Sequence, residues 1–368
     1  MRKLDQKLRR LNHRRIDAFR KWRLQLFLAL FNQVNEGPET PPEKRVLLLR
    51  LDGKLGDTIT ATGFINALHE NGYKVDIVAR KANTFVYAYI KTPHRLYSLK
   101  KGIVSLFVLL FKLRSHSYEA IVCSTHITDP ASLWLSRFVD AKTKIVFKNE
   151  QIEFFDVHIE KDFFEKHVTD RYQQCLKAIT GHTSPAVEKY ELNIPEAALT
   201  AAKKFIGDHK KVIILNSFAG ARLRNFSFAT TKAIIEALTQ DALVISFGND
   251  GDLHILREWK KHLHNANWVV PHRGDFAFNA ALVTLANAVI TPDTSIVHLA
   301  SAVGAPLVAV YREDEGFEKN SKIWAPLDSK SSENKKGHKI IYAPLPDINN
   351  VDIHQIVKAT KELLALLP

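Results

Sequence analysis

Two cysteines in 368 residues, Cys123 and Cys175, are too few for a disulfide framework. A reducing cytosol is therefore the expected compartment. No apolar run reaches the roughly 20 residues that a bilayer span needs. The most apolar stretches, Trp22 to Phe31 and Ile103 to Phe111 (IVSLFVLLF), are too short. The first 23 residues contain no long apolar core, so no cleavable signal peptide is expected. There is no G-x-G-x-x-G, and hence no dinucleotide fingerprint. Gly53-Lys54 lacks the rest of a Walker A loop, because position 48, where its first glycine belongs, is Leu48.

What the chain has in excess is positive charge, +13 in total, on an otherwise ordinary background of 46% hydrophobic and 25% charged residues. The first 34 residues hold ten basic and two acidic side chains, so +8 of the +13 sits there. In the same segment Leu4, Leu8, Leu11, Phe19, Trp22, Leu26 and Leu30 recur at helical spacing. A basic amphipathic helix with Trp, Phe and Leu reads as an interfacial membrane helix. The competing reading is a helix packed on its own domain or in a dimer. Nucleic acid comes third, since no binding motif accompanies the charge. Asn35 to Lys44 (NEGPETPPEK) reads as a linker.

The remainder alternates strand and helix signals. Arg45 to Leu51 (RVLLLRL) suits a buried parallel strand. Asp52 to Asp57 is a loop, Thr58 to Glu70 a helix ended by Asn71-Gly72, and Lys74 to Ala79 a strand. Ala120 to Cys123 and Lys144 to Phe147 are further strands, and Ile103 to Phe111 is expected to be a buried helix. The pattern loosens over Gly181 to Ile194, the expected passage between domains. A second series follows, with strands over Lys211–Leu215, Ala242–Phe247, Ala288–Ile290 and Pro306–Tyr311. Its helices are expected over Thr230–Leu238, Phe278–Ala286, Ile296–Ala302 and Val351–Leu367. The expected fold class is α/β with two doubly wound domains, whose ligands bind at the carboxyl ends of the strands.

Four strand-to-helix loops carry candidate chemistry. The first is Arg50 to Thr58 (RLDGKLGDT), where Lys54 could hold an anion. Asp57 there reads equally as a helix N-cap or as a carboxylate facing the cleft as general base. The second is Asn216 to Ser227, where Arg224 could clamp phosphate oxygens and Arg222 reads as surface charge. The third, Ala288 to Leu299 (AVITPDTSIVHL), opens a helix with Asp293, Thr294 and Ser295 and carries His298 about a turn later. Free N–H groups and the positive dipole end make that an anion site. The fourth, Phe247 to Asp252 (FGNDGD), contains Asp-x-Asp, read as a loop near ligand hydroxyls and not as a metal site.

Taken in order, RLDGKLGDTITATGFINAL, RNFS, FGNDGD and TPDTSIVHLASAVGAPLVAVY resemble glycosyltransferase family 9, the bacterial heptosyltransferases of lipopolysaccharide core assembly. The resemblance covers Arg45 to the C-terminus. Beyond the basic helix and linker over 1–44, which lie outside it, it implies a GT-B architecture: acceptor-binding domain over 45–185, nucleotide-sugar-binding domain over 186–350, and a helix over 351–368 crossing back to the first domain. It also implies inverting, metal-independent transfer from ADP-heptose to the lipopolysaccharide or lipid A core, with no cofactor. By position Asp57 corresponds to the catalytic base, Arg224 to a phosphate-binding lysine, and Asp250 to an acidic residue near the donor ribose. Asp293, Thr294, Ser295 and His298 correspond to the donor diphosphate and sugar site. Ser295 replaces a usual glycine and Phe226-Ser227 a usual Trp-Pro. Alternatives are another nucleotide sugar or a protein acceptor, or a non-catalytic nucleotide-binding, membrane-associated protein. A cytosolic transferase with a basic N-terminal helix would sit peripherally on the anionic inner face of the inner membrane.

Overall fold

The computed structural model describes all residues except 1, 39–40, 125–128, 148–151, 160–165, 182–186, 188, 273–274, 314–320, 328–336 and 367–368; for 2–14 and 17 it describes the backbone only. The chain opens with helix α1 (Arg2–Phe31), then β1 (Glu43–Arg50), α2 (Leu55–Thr60), α3 (Thr62–Glu70) and β2 (Lys74–Arg80). A 3-10 helix (Lys81–Tyr89) leads to β3 (Arg95–Leu99), α4 (Ile103–Leu113), β4 (Tyr118–Cys123) and α5 (Pro130–Phe138). β5 (Ala141–Val146), β6 (Val157–His158) and α6 (Val168–Thr180) complete the first half. The second half runs α7 (Glu196–Ile206), β7 (Val212–Leu215), α8 (Phe228–Leu238), β8 (Leu243–Ile245), α9 (Asp250–His262) and β9 (Trp268–Val269). It continues with α10 (Phe276–Leu285), β10 (Ala288–Pro292), α11 (Ser295–Val303), β11 (Leu307–Arg312), β12 (His338–Ala343) and α12 (Ile353–Ala365).

The described residues form two parallel six-stranded sheets, ordered β3-β2-β1-β4-β5-β6 and β12-β11-β10-β7-β8-β9. Read from β9, the second has the same order as the first. Each reverses direction beside its first strand, between β1 and β4 and between β7 and β10. A crevice opens at such a switch point, because the loops after the two strands diverge to opposite faces. Strand composition fits: Val46 to Leu49 are wholly buried, as a strand covered on both faces must be. Short strands β3, β6, β9 and β12 have weaker patterns and are additions to the sequence reading.

Three expectations change. The helix over 103–113 is not buried all round. Leu109, Leu110 and Leu113 pack inward, while Val104, Val108 and Phe111 are exposed (Phe111 by 84%). An apolar composition without periodicity hid which face was covered. α12 does not cross back: Ile356, Ala359, Leu363 and Leu364 pack in the core of the second sheet, beside α8 and β10 to β12. In residues 1–44 the competing reading, a helix packed on its own domain, holds for the end of α1, and the segment expected as a linker is tied to the body at Asn35. Phe27 joins the first domain's core with Leu24, Leu28 and Phe31 against it. Asn35 Nδ2 donates to Ala141 O at 3.2 Å and to Asp156 Oδ2 at 3.0 Å. The face that packs is thus offset from the predicted stripe, whose Phe19, Trp22, Leu26 and Leu30 are exposed. Leu4, Leu8 and Leu11 fall outside the described side chains.

The expected boundary at 185–186 also lies outside the described residues. The connector just beyond it lies on the first domain, with Glu191 N donating to Thr62 Oγ1 at 2.7 Å. Late in the chain, Ile323 and Trp324 pack in the first domain's core. Ile59 and Val86 in turn sit in the core cluster of α7, α10 and α11. The two domains therefore share apolar contacts through their helices and connectors.

Candidate active site

At the first switch point Arg50, the last residue of β1, is buried by the sheet and reaches across to β4. Its Nη1 donates to Ser124 O at 2.9 Å and to Ser124 Oγ at 3.1 Å. Its Nη2 donates to Asp52 Oδ2 at 2.8 Å and lies 3.6 Å from Asp57 Oδ1. Burial alone would push this guanidinium down; Tyr172 and the carboxylates of Asp52 and Asp57 outweigh that and hold it above its ordinary value. Burial likewise lifts the Asp52 carboxyl, against the pull of Arg50. The sequence reading placed Arg50 and Asp52 in the first loop but gave neither a role in the site. Their signal was the placement of an arginine at the end of an otherwise apolar buried strand.

Asp57 is not an N-cap. α2 begins at Leu55 after Lys54, so Asp57 falls inside the first turn with its side chain available to the cleft. Gly53, at φ +69°, turns the chain sharply enough to do this. Thr58 accepts from Asn83 Nδ2 at 2.9 Å, tying the helix to the 3-10 segment. Lys54 is exposed at the loop tip.

At the second switch point Asn216 plays the part that Arg50 plays in the first. Its Nδ2 donates to Thr291 Oγ1 at 2.9 Å and to Thr294 Oγ1 at 3.3 Å, joining the ends of β7 and β10. Thr294 is the N-cap of α11, accepting from Ile296 N at 3.1 Å, and Ser295 is the helix's first residue. Arg224 Nη1 donates to Asp293 Oδ2 at 2.6 Å, which sets a guanidinium beside the helix N-terminus. Arg222 is exposed. Asp250 is exposed in the first turn of α9, at the same sheet edge. Asp252 is spent on a capping box, accepting from Asn249 N at 3.1 Å, so the two carboxylates of the Asp-x-Asp act separately.

The two switch points meet. A Cβ on Gly56 would lie 2.9 Å from His298 Cδ2 and 3.4 Å from Ser295 Cα. His298 is buried, flanked by the Tyr190 and Trp324 rings at 5.9 Å each, and its Nδ1 has no partner. Burial, with a lesser push from His167, lowers its pKa to about 3, so the ring is neutral at physiological pH. Of the residues expected to form the site, Ser295 and His298 meet α2 at Gly56, the residue before Asp57, while Arg224 pairs with Asp293 beside Thr294. Asp250 and Lys54 lie outside these contacts and are exposed. Among the described residues no group of three His, Cys, Asp or Glu side chains could hold a metal ion.

Residues 107–336 match the model of glycosyltransferase family 9 (heptosyltransferase), well over half of the chain. The chain belongs to that family. This family 9 glycosyltransferase is similar to an Escherichia coli K12 protein named "Putative lipopolysaccharide heptosyltransferase 4", 24% identical over 90% of this chain and 91% of that protein. Its fold is shared with a family 9 glycosyl transferase of Veillonella parvula, at TM-score 0.72, 16% identity and coverage of 88% and 98%. E. coli heptosyltransferase WaaC with ADP matches at TM-score 0.66, 13% identity and coverage of 87% and 99%. The family match begins in α4, so the Asp57 loop lies before it, and the place of Asp57 in this enzyme rests on geometry.

Proposed function

We propose that this glycosyltransferase moves a heptose from ADP-heptose to the inner core of lipopolysaccharide, with inversion at the anomeric carbon. The observation that supports the reading is the close approach of Gly56 in α2 to Ser295 and His298 of α11, since α2 carries Asp57 on the next residue and α11 opens at Thr294. The E. coli relative named for lipopolysaccharide heptosyl transfer, and the WaaC structures holding ADP and an ADP-heptose analogue, support the donor and acceptor classes.

In this mechanism Asp57 takes the proton of an acceptor hydroxyl as its oxygen attacks the anomeric carbon. The new C–O bond forms on the face opposite the donor phosphate, the old C–O bond breaks, and its electron pair leaves with ADP. Arg224 and the free N–H groups at Thr294 and Ser295 receive the growing negative charge, doing electrostatically what a metal does elsewhere. Neutral His298 contributes shape and no charge. Asp250 faces the nucleoside end, and Lys54 faces anionic groups of the acceptor. The domain over 45–185 holds the acceptor and that over 186–350 the donor. The enzyme works on the cytoplasmic face of the inner membrane, with its basic N-terminal helix toward anionic lipid.

The test is Asp57→Asn. Transfer from ADP-heptose to a truncated core acceptor falls by 10²-fold or more, roughly the share that acid–base catalysis supplies. ADP affinity by calorimetry stays within about twofold. Full activity in this variant overturns the base assignment, and turnover of a different nucleotide sugar in preference to ADP-heptose overturns the donor.

A further inference from the structure

We propose that α4 and α1 together form a membrane-insertion platform for an anionic bilayer, and that α4 enters the lipid on its own account. This deepens the reading above by naming the surface that holds the lipid-linked acceptor. On α4, Ile103, Val104, Phe107, Val108 and Phe111 all lie on one exposed face. At about 100° per residue that face is centred about 140° from the inward face of Leu106, Leu109, Leu110 and Leu113. α1 repeats the arrangement: Phe27 and Phe31 face the body, while Phe19, Trp22, Leu26 and Leu30 face outward. Trp134 of α5 joins the two helices. Its ring lies 5.8 Å from Phe107 and 5.6 Å from both Phe27 and Phe31. Exposed apolar surface of this extent marks an interaction site and not a solvated face.

Charge selects the occupant. Lys100 and Lys101 precede the α4 face, Lys112 and Arg114 follow it, and Arg15 and Lys21 border the α1 stripe, all exposed. Lys100 to Arg114 contains no acidic residue, and Asp17 is the only one from Arg15 to Val34. A second copy of the same face would bring these cations together, whereas an anionic interface accepts both the cations and the apolar side chains. Placement also fits. Leu99, ending β3, pairs with Arg80, and Ala79 pairs with Arg50, so α4 starts at the sheet edge that carries the Asp57 loop. A lipid-anchored acceptor in the bilayer is thereby held next to that loop.

The experiment is flotation of the full chain with vesicles of phosphatidylcholine alone and with added phosphatidylglycerol. Val104→Ser, Val108→Ser and Phe111→Ser are combined in one variant; all three side chains are exposed, so the fold is not at stake. Binding to the anionic vesicles falls by about tenfold or more, while transfer to a water-soluble core fragment is unchanged. In a second protein, Val108→Cys carries an environment-sensitive dye; the native Cys123 and Cys175 are buried and do not compete. Its emission shifts to the blue on anionic vesicles. Unchanged flotation of the triple variant, or a dye that stays in water on the vesicles, overturns the proposal and leaves α1 as sole anchor. A parent dimer that the triple variant dissociates, with vesicle binding intact, also overturns it and assigns the face to a second copy. None of these outcomes depends on which sugar is transferred, so the proposed function stands or falls separately.

Discussion

Gly56→Ala reports on the cleft through the sign of its effect. Gly56 lies in α2 with ordinary negative φ. On backbone grounds alone, alanine there stabilises the folded protein by about 0.5–1 kcal/mol, because glycine is the poorer helix former. The tertiary contact predicts the reverse. The added methyl lies 2.9 Å from His298 Cδ2, closer than real Cβ contacts come. The imidazole cannot swing away, because Tyr190 and Trp324 flank it and it is buried. Overpacking of this kind costs about 1–3 kcal/mol, so the net change is a destabilisation of up to about 2.5 kcal/mol. Either the fold bears it or the two switch points move apart, and a displacement of about 1 Å can cost 10²-fold in rate. The assay is a double-mutant cycle with His298→Ala, read by the denaturant midpoint and by transfer rate. Gly56→Ala lowers stability in the parent and raises it in the His298→Ala background. Destabilisation of the same size in both backgrounds would refute the contact as the reason for the glycine.

Three further outcomes follow from the same site. Since His298 is held near pKa 3 in the folded enzyme and titrates near 6.5 when unfolded, the unfolded chain binds the extra proton below pH 6.5. Its contribution therefore falls with pH, by about 2 kcal/mol at pH 5, and His298→Gln loses less stability than the parent between pH 7 and pH 5 in denaturant titrations; equal losses would place the ring in water. If Arg224 holds the diphosphate as proposed, Arg224→Ala weakens ADP binding about tenfold to hundredfold by calorimetry, with Arg224→Lys intermediate because a point charge lacks the planar fork. Undiminished binding in Arg224→Ala would leave the arginine as a partner of Asp293 alone.

The sequence by itself determined the fold class and the order of the loops. Continuous apolar runs such as VLLL at 46–49 need two covered faces, and alternation with helical segments needs a parallel sheet. Glycine, small and charged residues after those runs marked the loops at a sheet edge, because only there does a strand-to-helix turn meet solvent. These are local properties, legible in a few consecutive residues. Tertiary structure alone decided which apolar faces find a partner. It joined Phe27 to the first core, left Phe111 in solvent, and kept α12 on the second sheet. Periodicity gives a face but not what lies opposite it. Likewise the letters showed Arg50, Gly56 and Asp57 in one motif and His298 in another, as far apart as 248 positions. Only the packing of α2 on α11, each helix leaving its own sheet at a switch point, brings a missing Cβ and a buried imidazole together beside the Asp57 turn.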